Sequence, residues 1–280
     1  MTLTCGLPSF LVIGAVKAAT TWINVQLQDH PDIFMPNPEP HFFSTEFDRG
    51  LDHYRSLFAP AAPGQLVGEK SADYFAHRDA PARVAALLPS ARLVVQLRNP
   101  VERAYSDYKM LFRRGTIRGR PEEYLRHGSE QPRFLEGGLY GRHLHRWLEH
   151  FPADQLHVLL YEDVRENAEE AVTGVCRHIG AEPRYSERVG TRPVNDGAAQ
   201  LLPLGMRQLL APLKPLAQPL RGTAGFERIR GLFAKQVDYP PLRPDTRAWL
   251  ADYYARDVEQ LQSLIGRDLG HWLELRRVAA

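Results

Sequence analysis

Three continuous apolar runs, rich in β-branched residues, constrain the fold of this chain more than any other feature. They span residues 10–16 (FLVIGAV), 93–98 (LVVQLR) and 156–162 (LHVLLYE). Because apolar and polar residues do not alternate in them, they are typical of parallel strands that are buried on both faces. A weaker fourth run, QLVGEK, covers residues 65–70. The sequence therefore predicts a buried parallel sheet built from these four runs.

Helical patterns separate the four runs. The predicted helices span residues 20–30, 79–88, 99–113, 139–150, 164–179 and Pro244–Ile265. Asn99 is a preferred N-cap residue, and Pro100 suits the first helical position after it. Strands alternating with helices indicate an α/β fold, with a parallel sheet flanked by helices on both sides. We expect residues 1–280 to form a single domain, with an irregular proline- and arginine-rich insertion at about 186–243.

Composition narrows the classes of function. The 35 basic and 33 acidic residues leave a formal net charge of +2, which gives no general attraction to nucleic acid. Two cysteines, Cys5 and Cys176, cannot form a disulfide framework, so we predict a reducing, cytoplasmic location. No apolar run reaches membrane-spanning length. No cluster of His, Cys and Asp has the spacing of metal ligands, so we predict no metal.

The loop after the first run carries one of only five lysines, since the other 30 basic residues are arginine. Lys17 is followed by Thr20 and Thr21, where a helix is predicted to begin. The free N–H groups and the dipole of a helix N-terminus favour an anion, and lysine and threonine add charge and donors. The triphosphatase pattern G-x-x-x-x-G-K-[ST] is absent. Two interpretations stay open from these residues alone, namely an anion-binding loop or a surface lysine before a capped helix.

The order Lys-x-x-Thr-Thr-Trp at residues 17–22 resembles the loop that binds 3′-phosphoadenosine 5′-phosphosulfate (PAPS) in sulfotransferases. That family usually reads Lys-x-Gly-Thr-Thr, and Ala19 replaces the glycine here. If the position requires a positive φ, an alanine there is strained, so either φ stays negative or the loop shifts.

Three further blocks extend the resemblance. They are PNPEPHFFS at 36–44, GEKSADYF at 68–75 and LRNPVERAYSDY at 97–108. Their order and spacing resemble the Golgi heparan sulfate N- and O-sulfotransferases, and the second block is most similar to the N-sulfotransferase branch. The resemblance covers most of the chain except about 110–135 and 186–235. It implies a PAPS-dependent sulfotransferase with the family's P-loop-like α/β fold, and no metal.

The resemblance implies two sites for the phosphates of the nucleotide. The 5′-phosphosulfate would be bound by the loop residues Lys17, Ala18, Ala19, Thr20 and Thr21. The 3′-phosphate, which distinguishes PAPS from ATP, would be bound by Arg98 and Ser106; about two helical turns separate Ser106 from Asn99. Trp22 either stacks on adenine or packs in the core as a helix aromatic. Lys235 corresponds to a basic loop that closes over the nucleotide, although the family's Lys-Gly-Arg is replaced here by Lys235-Gln236-Val237.

Catalytic and acceptor-binding roles also follow from the resemblance. Glu39 matches the family glutamate that takes the proton from the acceptor, and Lys17 and Lys70 would stabilise charge near the sulfuryl group. His41 is the rival base, because side chains two residues apart project to the same face of an extended segment. We predict that Glu39, His41 and Lys70 contact the acceptor. Without the resemblance, Glu39 and Lys70 would be interpreted as a loop glutamate and a solvated lysine.

The leading functional hypothesis is transfer of a sulfuryl group from PAPS to a hydroxyl or amine of a carbohydrate or small metabolite. The product would be adenosine 3′,5′-bisphosphate (PAP). Two alternatives are a P-loop-type nucleotide kinase and a non-catalytic nucleotide-binding relative. A basic cluster outside the resemblance is either a solvated helix end or an acceptor-binding rim, and it consists of Arg113, Arg114, Arg118 and Arg120.

Overall fold

The computed structural model describes residues 6–190 and 237–274. In these residues five parallel strands form one sheet in the order β2-β3-β1-β4-β5. The strands are β1 Phe10–Gly14, β2 Ile33–Phe34, β3 Leu66–Lys70, β4 Arg92–Leu97 and β5 Leu156–Leu160.

Helices connect the strands and cover the sheet. Up to β4 the connections are α1 Thr20–Gln28, α2 Leu51–Ser56 and α3 Ala80–Leu87. Between β4 and β5 lie α4 Pro100–Arg114, α5 Pro121–Tyr124, α6 Arg133–Glu136 and α7 Tyr140–Leu148. After β5 come α8 Tyr161–Glu166, α9 Ala168–Ile179, α10 Glu187–Gly190 and α11 Pro244–Ile265.

The two faces of the sheet bury separate sets of side chains, because successive residues of a strand point to opposite faces. Along β1, Leu11 and Ile13 belong to the larger apolar core, whereas Phe10 and Val12 pack on the other face with residues of α1 and α9. All four side chains are fully buried. Burying an aliphatic or aromatic side chain of this size contributes about 1.5–3 kcal/mol. The predicted α/β fold, with a parallel sheet flanked by helices, is confirmed.

The register brings the functional segments to one edge of the sheet. Leu11 of β1 pairs with Glu69 of β3 on one side and with Leu93 of β4 on the other. Because the strands are parallel, their carboxyl ends lie at the same edge, where open α/β sheets bind ligands. The segments that begin at Ala15, Ser71 and Arg98 therefore start side by side.

Three details differ from the sequence-based expectation. The run at 10–16 leaves the sheet at Gly14, where a Cβ would lie 2.6 Å from the Phe75 Cβ and no bulkier residue fits. The helix predicted at 164–179 is interrupted at Asn167, whose backbone is extended and whose side chain caps α9 through the Glu170 N–H. The two-residue strand β2 was not predicted, since it is too short to produce a pattern. Most of the insertion predicted at about 186–243 lies outside the described residues.

Helix α1 begins after a residue in the left-handed conformation. Its N-cap, Ala19, has φ 69° and ψ 23° and makes no capping hydrogen bond through its side chain. The loop therefore keeps the positive φ that suits glycine, and alanine pays the steric cost of a Cβ in that region.

We expect Ala19→Gly to raise the free energy of unfolding by about 0.5–1 kcal/mol, since relief of strain exceeds the entropy gained by the unfolded chain. Urea denaturation of the purified chain measures this change. Ala18→Gly is the matched control, because Ala18 is fully buried and is not among the residues with positive φ. That variant should be destabilised, and a similar loss in Ala19→Gly would contradict the left-handed cap.

Candidate active site

Basic groups converge on Lys17 in the loop between β1 and α1. Burial lowers the pKa of the Lys17 ammonium, and the guanidinium groups of Arg114, Arg98 and Arg113 lower it further. The carboxylate of Asp107 opposes them by raising that pKa. A partly buried lysine within electrostatic reach of three arginines lies in an electropositive environment, which favours an anion.

The rest of the loop turns directly into helix α1. Ala18 is fully buried, and its N–H donates to the carbonyl of Ala15 over 3.1 Å. Thr20 and Thr21 are the first two residues of α1, so their N–H groups lie at the positive end of the helix dipole. Trp22 is partly buried and packs against the apolar core formed by β1, α1 and α9. This contact corresponds to the core interpretation of Trp22 given above.

The structure brings Lys70 and Glu39 together, although 31 residues separate them in sequence. The Lys70 ammonium, at the end of β3, donates to Glu39 Oε1 over 2.5 Å. The N–H of Ala72 donates to Glu39 Oε2 over 3.1 Å. The Lys70 side chain is only 5% exposed, whereas that of Glu39 is 34% exposed. The interpretation of Lys70 as a solvated lysine is therefore excluded. The Glu39 carboxylate is held by two hydrogen bonds and is still accessible to solvent.

A close backbone contact ties this ion pair to the Lys17 loop. A Cβ on Gly14 would lie 2.9 Å from the Ala72 carbonyl oxygen, so only glycine fits without a shift. The Ser71 N–H also donates to the carbonyl of Val12 over 3.1 Å, and the Phe75 N–H donates to that of Ile13 over 2.9 Å. The segment after β3 is thereby bonded to β1 directly before the loop begins.

His41 occupies a different position from the one expected. Its φ is 51°, so the segment is not extended there, and the extended geometry from which a shared face of Glu39 and His41 was expected is wrong. Instead, Nδ1 of the His41 ring lies 2.7 Å from Asp73 Oδ1, and the His41 N–H donates to Ser71 Oγ over 2.9 Å. Ser44 holds the other carboxylate oxygen of Asp73 at 2.5 Å.

Arg98 directly precedes Asn99, the N-cap of α4, and Ser106 lies about two turns into that helix. Asn99 caps this helix as predicted, accepting from the N–H of Val101 over 2.9 Å. The Arg98 guanidinium carbon lies 4.8 Å from the centre of the Tyr161 ring, a cation–π contact that orients it. Both Arg98 and Ser106 are partly buried.

Lys109, three residues after Ser106, was not among the predicted site residues. Its ammonium lies 4.6 Å from the centre of the Tyr105 ring. Burial lowers the pKa of Lys109, and the nearby Arg98 lowers it further. The only feature of the sequence that could have pointed to Lys109 was that lysine is scarce in this chain.

Glu69 is a second residue that sequence reasoning missed. It is fully buried in β3 and accepts hydrogen bonds from the hydroxyls of Tyr54 at 2.5 Å, Ser71 at 2.9 Å and Tyr74 at 3.2 Å. Burial raises its pKa to about 7, although the three hydrogen bonds act in the opposite direction. The sequence could have pointed to Glu69, because it places a carboxylate inside a strand that is predicted to be buried on both faces.

The remaining predicted residues divide into three groups. Arg113 and Arg114 end α4 within electrostatic reach of Lys17, whereas Arg118 and Arg120 are exposed beyond it. Lys235 lies outside the described residues.

Across residues 6–190 and 237–274, no group of three or more His, Cys, Asp or Glu side chains is arranged to hold a metal ion. In the same part of the chain no helix has the length and apolar character needed to cross a membrane.

Comparison with known proteins identifies the family. A model described as "Sulfotransferase family" matches residues 52–186. The mouse bifunctional heparan sulfate N-deacetylase/N-sulfotransferase 3 is 31% identical over 300 residues, which cover 97% of this chain and 32% of that protein. The chain belongs to the sulfotransferase family. Human heparan sulfate glucosamine 3-O-sulfotransferase 3B1 is 36% identical over 161 residues, covering 54% of this chain and 40% of that protein. The chain thus spans about a third to two fifths of the length of the curated relatives that it matches.

Solved sulfotransferases share the fold. A sulfotransferase from Alicyclobacillus acidocaldarius aligns with a TM-score of 0.72 and 24% identity, covering 95% of this chain and 99% of that one. The mouse sulfotransferase SULT7A1, solved in complex with PAP, aligns with a TM-score of 0.50 and 13% identity, covering 95% and 87%. At these identities the structural matches establish the sulfotransferase fold.

The contact between His41 and Asp73 predicts a pH-dependent stability. The hydrogen bond to Asp73 raises the pKa of His41 above its usual 6.5, because it outweighs burial. The folded state therefore holds this proton more tightly, so the stabilisation is complete below about pH 6.5 and is lost as the pH rises through the higher pKa of the folded state. The side chains are 40% and 33% exposed, so solvent screening limits the effect to about 0.5 kcal/mol.

His41→Asn keeps a residue that tolerates positive φ and removes the titrating ring. The stability lost in this variant should be larger near pH 5.5 than near pH 9, and urea denaturation at both values measures it. Asp73→Asn is the control background, in which His41→Asn should cost the same at both values. A loss that does not vary with pH in the wild-type background would contradict the ion pair.

Proposed function

We propose that this chain transfers a sulfuryl group from PAPS to a hydroxyl or amine of a carbohydrate. The single observation that carries the proposal is the accessible Glu39 carboxylate, which is bound to Lys70 and tied through Ala72 to the Lys17 loop. A base, a buried cation and an anion-binding loop are the groups that such a transfer requires at one place.

The donor nucleotide would lie along the carboxyl edge of the sheet. Lys17 and the first N–H groups of α1 suit the 5′-phosphosulfate, because charge and helix dipole both favour an anion there. Arg98 and Ser106 suit the 3′-phosphate, and Lys109 adds a second cation near Arg98. Trp22 is proposed to present one face to adenine while its other side packs on the core.

Sulfuryl transfer is an in-line displacement. The acceptor oxygen or nitrogen forms a bond to sulfur, the bond from sulfur to the 5′-phosphate oxygen breaks, and PAP leaves. Glu39 takes the proton that the acceptor loses. Lys70 orients Glu39 and faces the sulfuryl oxygens, and Lys17 stabilises the charge that develops on the leaving oxygen. His41 positions this segment through Asp73 and is not the base in this scheme.

The acceptor is proposed to be an oligosaccharide that contains glucosamine. The relatives named above are heparan sulfate sulfotransferases, and one is named for glucosamine. Arg118 and Arg120 are exposed beyond α4, where they would meet an anionic or hydroxyl-rich chain.

Transfer itself can be measured with PAPS labelled with 35S and an oligosaccharide with unsubstituted glucosamine. The labelled sulfuryl group should appear on the oligosaccharide, and PAP should accumulate in equal amount. Release of label as free sulfate alone, or transfer of phosphate from ATP to the same acceptor, would contradict the proposal.

Glu39→Gln preserves shape and removes the base, so we expect kcat to fall by about 10²–10⁴-fold. The affinity for PAP, measured by calorimetry, should stay unchanged because Glu39 faces the acceptor. Glu46→Gln is the matched control, since Glu46 pairs only with the exposed Arg49 in the described contacts. If Glu39→Gln remains active while His41→Asn is inactive with its PAP affinity intact, histidine is the base and this assignment is wrong.

PAP should bind the wild-type chain more tightly than adenosine 5′-phosphate, because only PAP carries the 3′-phosphate. Arg98→Ala removes a charge-assisted contact worth about 1.5–3 kcal/mol and should narrow the difference between the two ligands. Arg92→Ala is the control, because Arg92 begins β4, whereas Arg98 follows its last residue, and Arg92 donates to the carbonyl of Asp154. Equal affinities of the wild type for both nucleotides would contradict the 3′-phosphate site.

A further inference from the structure

The buried Glu69 has no role in the transfer described above. It is the penultimate residue of β3, paired with Leu11 of β1, and its side chain is fully buried. Burying a carboxylate is costly even when it is hydrogen-bonded, and an apolar residue of similar volume is often at least as stable in such a place. A carboxylate here therefore calls for an explanation other than stability.

Two of the three hydroxyls that donate to Glu69 also accept hydrogen bonds from the segment that follows Glu39. Ser71 Oγ accepts from the N–H of His41 over 2.9 Å. The Tyr74 hydroxyl accepts from the N–H of Phe43 over 3.2 Å. We name residues 39–44 the base segment. Glu69 is thus connected through one hydroxyl each to two backbone amides of the base segment.

The direction of these hydrogen bonds depends on Glu69. A hydroxyl has one proton and two lone pairs. Because Glu69 takes the proton of Ser71 and of Tyr74, the lone pairs of both oxygens are oriented towards the amides of His41 and Phe43. Without the carboxylate the hydroxyls lose this orientation, and the His41 backbone, which already has a left-handed φ of 51°, loses its support.

Lys70 and Glu69 reach the base segment from adjacent positions of β3. Lys70 binds the side chain of Glu39, and Glu69 holds the backbone two and four residues later. We propose that Glu69 is a positioning residue that fixes the base segment through Ser71 and Tyr74, and so keeps the Glu39 carboxylate in place on Lys70. This inference rests on the proposed function, because it assigns Glu39 as the base.

Single hydroxyl deletions test the role without removing the buried carboxylate. Ser71→Ala removes one donor to Glu69 and the acceptor for the His41 amide. Tyr54→Phe removes one donor to the same carboxylate, but the Tyr54 hydroxyl bonds only Glu69 in the described contacts. Its ring stacks on Phe42 at 4.2 Å, and phenylalanine retains that stacking. Both variants therefore weaken Glu69 by one hydrogen bond, and only the first releases the base segment.

We expect Ser71→Ala to lower kcat by about 10- to 100-fold, since small displacements of a reacting group have effects of this size. Tyr54→Phe should keep kcat close to that of the wild type, and both should bind PAP as the wild type does. Hydrogen exchange supplies a readout independent of turnover. The His41 amide should exchange faster in Ser71→Ala than in Tyr54→Phe or the wild type.

The two proposals fail in different ways. Equal losses of kcat in the two variants, or an unchanged His41 exchange rate in Ser71→Ala, would overturn the positioning role while the wild type remains an active sulfotransferase. A wild-type chain that transfers no sulfuryl group would overturn the proposed function, and with it the role of Glu69 in that function.

Discussion

The contact between the end of β1 and the segment after β3 is the constraint on which the rest of the site depends. Gly14 approaches the carbonyl of Ala72 so closely that a Cβ would lie 2.9 Å from its oxygen. Ala72 in turn donates its N–H to Glu39. The Lys17 loop and the segment that binds the Glu39 carboxylate are therefore joined by backbone contacts, and the Lys70 side chain adds the second hydrogen bond to that carboxylate.

Electrostatics at this edge of the sheet are unbalanced in a way that suits an anionic donor. Lys17 has three arginines and one carboxylate, that of Asp107, in its surroundings, and Lys109 has Arg98 close by. Asp107 is itself held by Arg133 at 2.9 Å, so it only partly offsets the charge on Lys17. Lys70 differs from these cations because it forms an ion pair with Glu39. This edge of the sheet thus carries a positive region at Lys17 and Lys109 and a neutral pair at Lys70, which the proposed function assigns to the nucleotide and to the acceptor proton.

Local sequence patterns predicted the elements, and the family resemblance pointed to the site, but neither gave its contacts. The continuous apolar runs indicated four of the five strands, and Asn99 with Pro100 indicated the start of α4. The ion pair of Lys70 and Glu39 spans 31 residues, and the bond from Tyr54 to Glu69 joins α2 to β3, so both depend on packing that no local pattern encodes. The left-handed φ of His41 could not be predicted either, because the enrichment of histidine in that region does not identify a single position. The sequence suggested a positive φ at Ala19 only because the family has glycine at that position, and the structure shows that φ is positive.

The central claim is that the donor loop, the 3′-phosphate residues and the carboxylate base form one site along the carboxyl edge of the sheet. A crystal structure of the chain with PAP tests it most directly. The account predicts the 5′-phosphate on Lys17 and the N–H groups of Thr20 and Thr21, with the 3′-phosphate on Arg98 and Ser106. The 5′ end should face the ion pair of Lys70 and Glu39. A nucleotide bound elsewhere, or one whose 5′-phosphate points away from that pair, would contradict it.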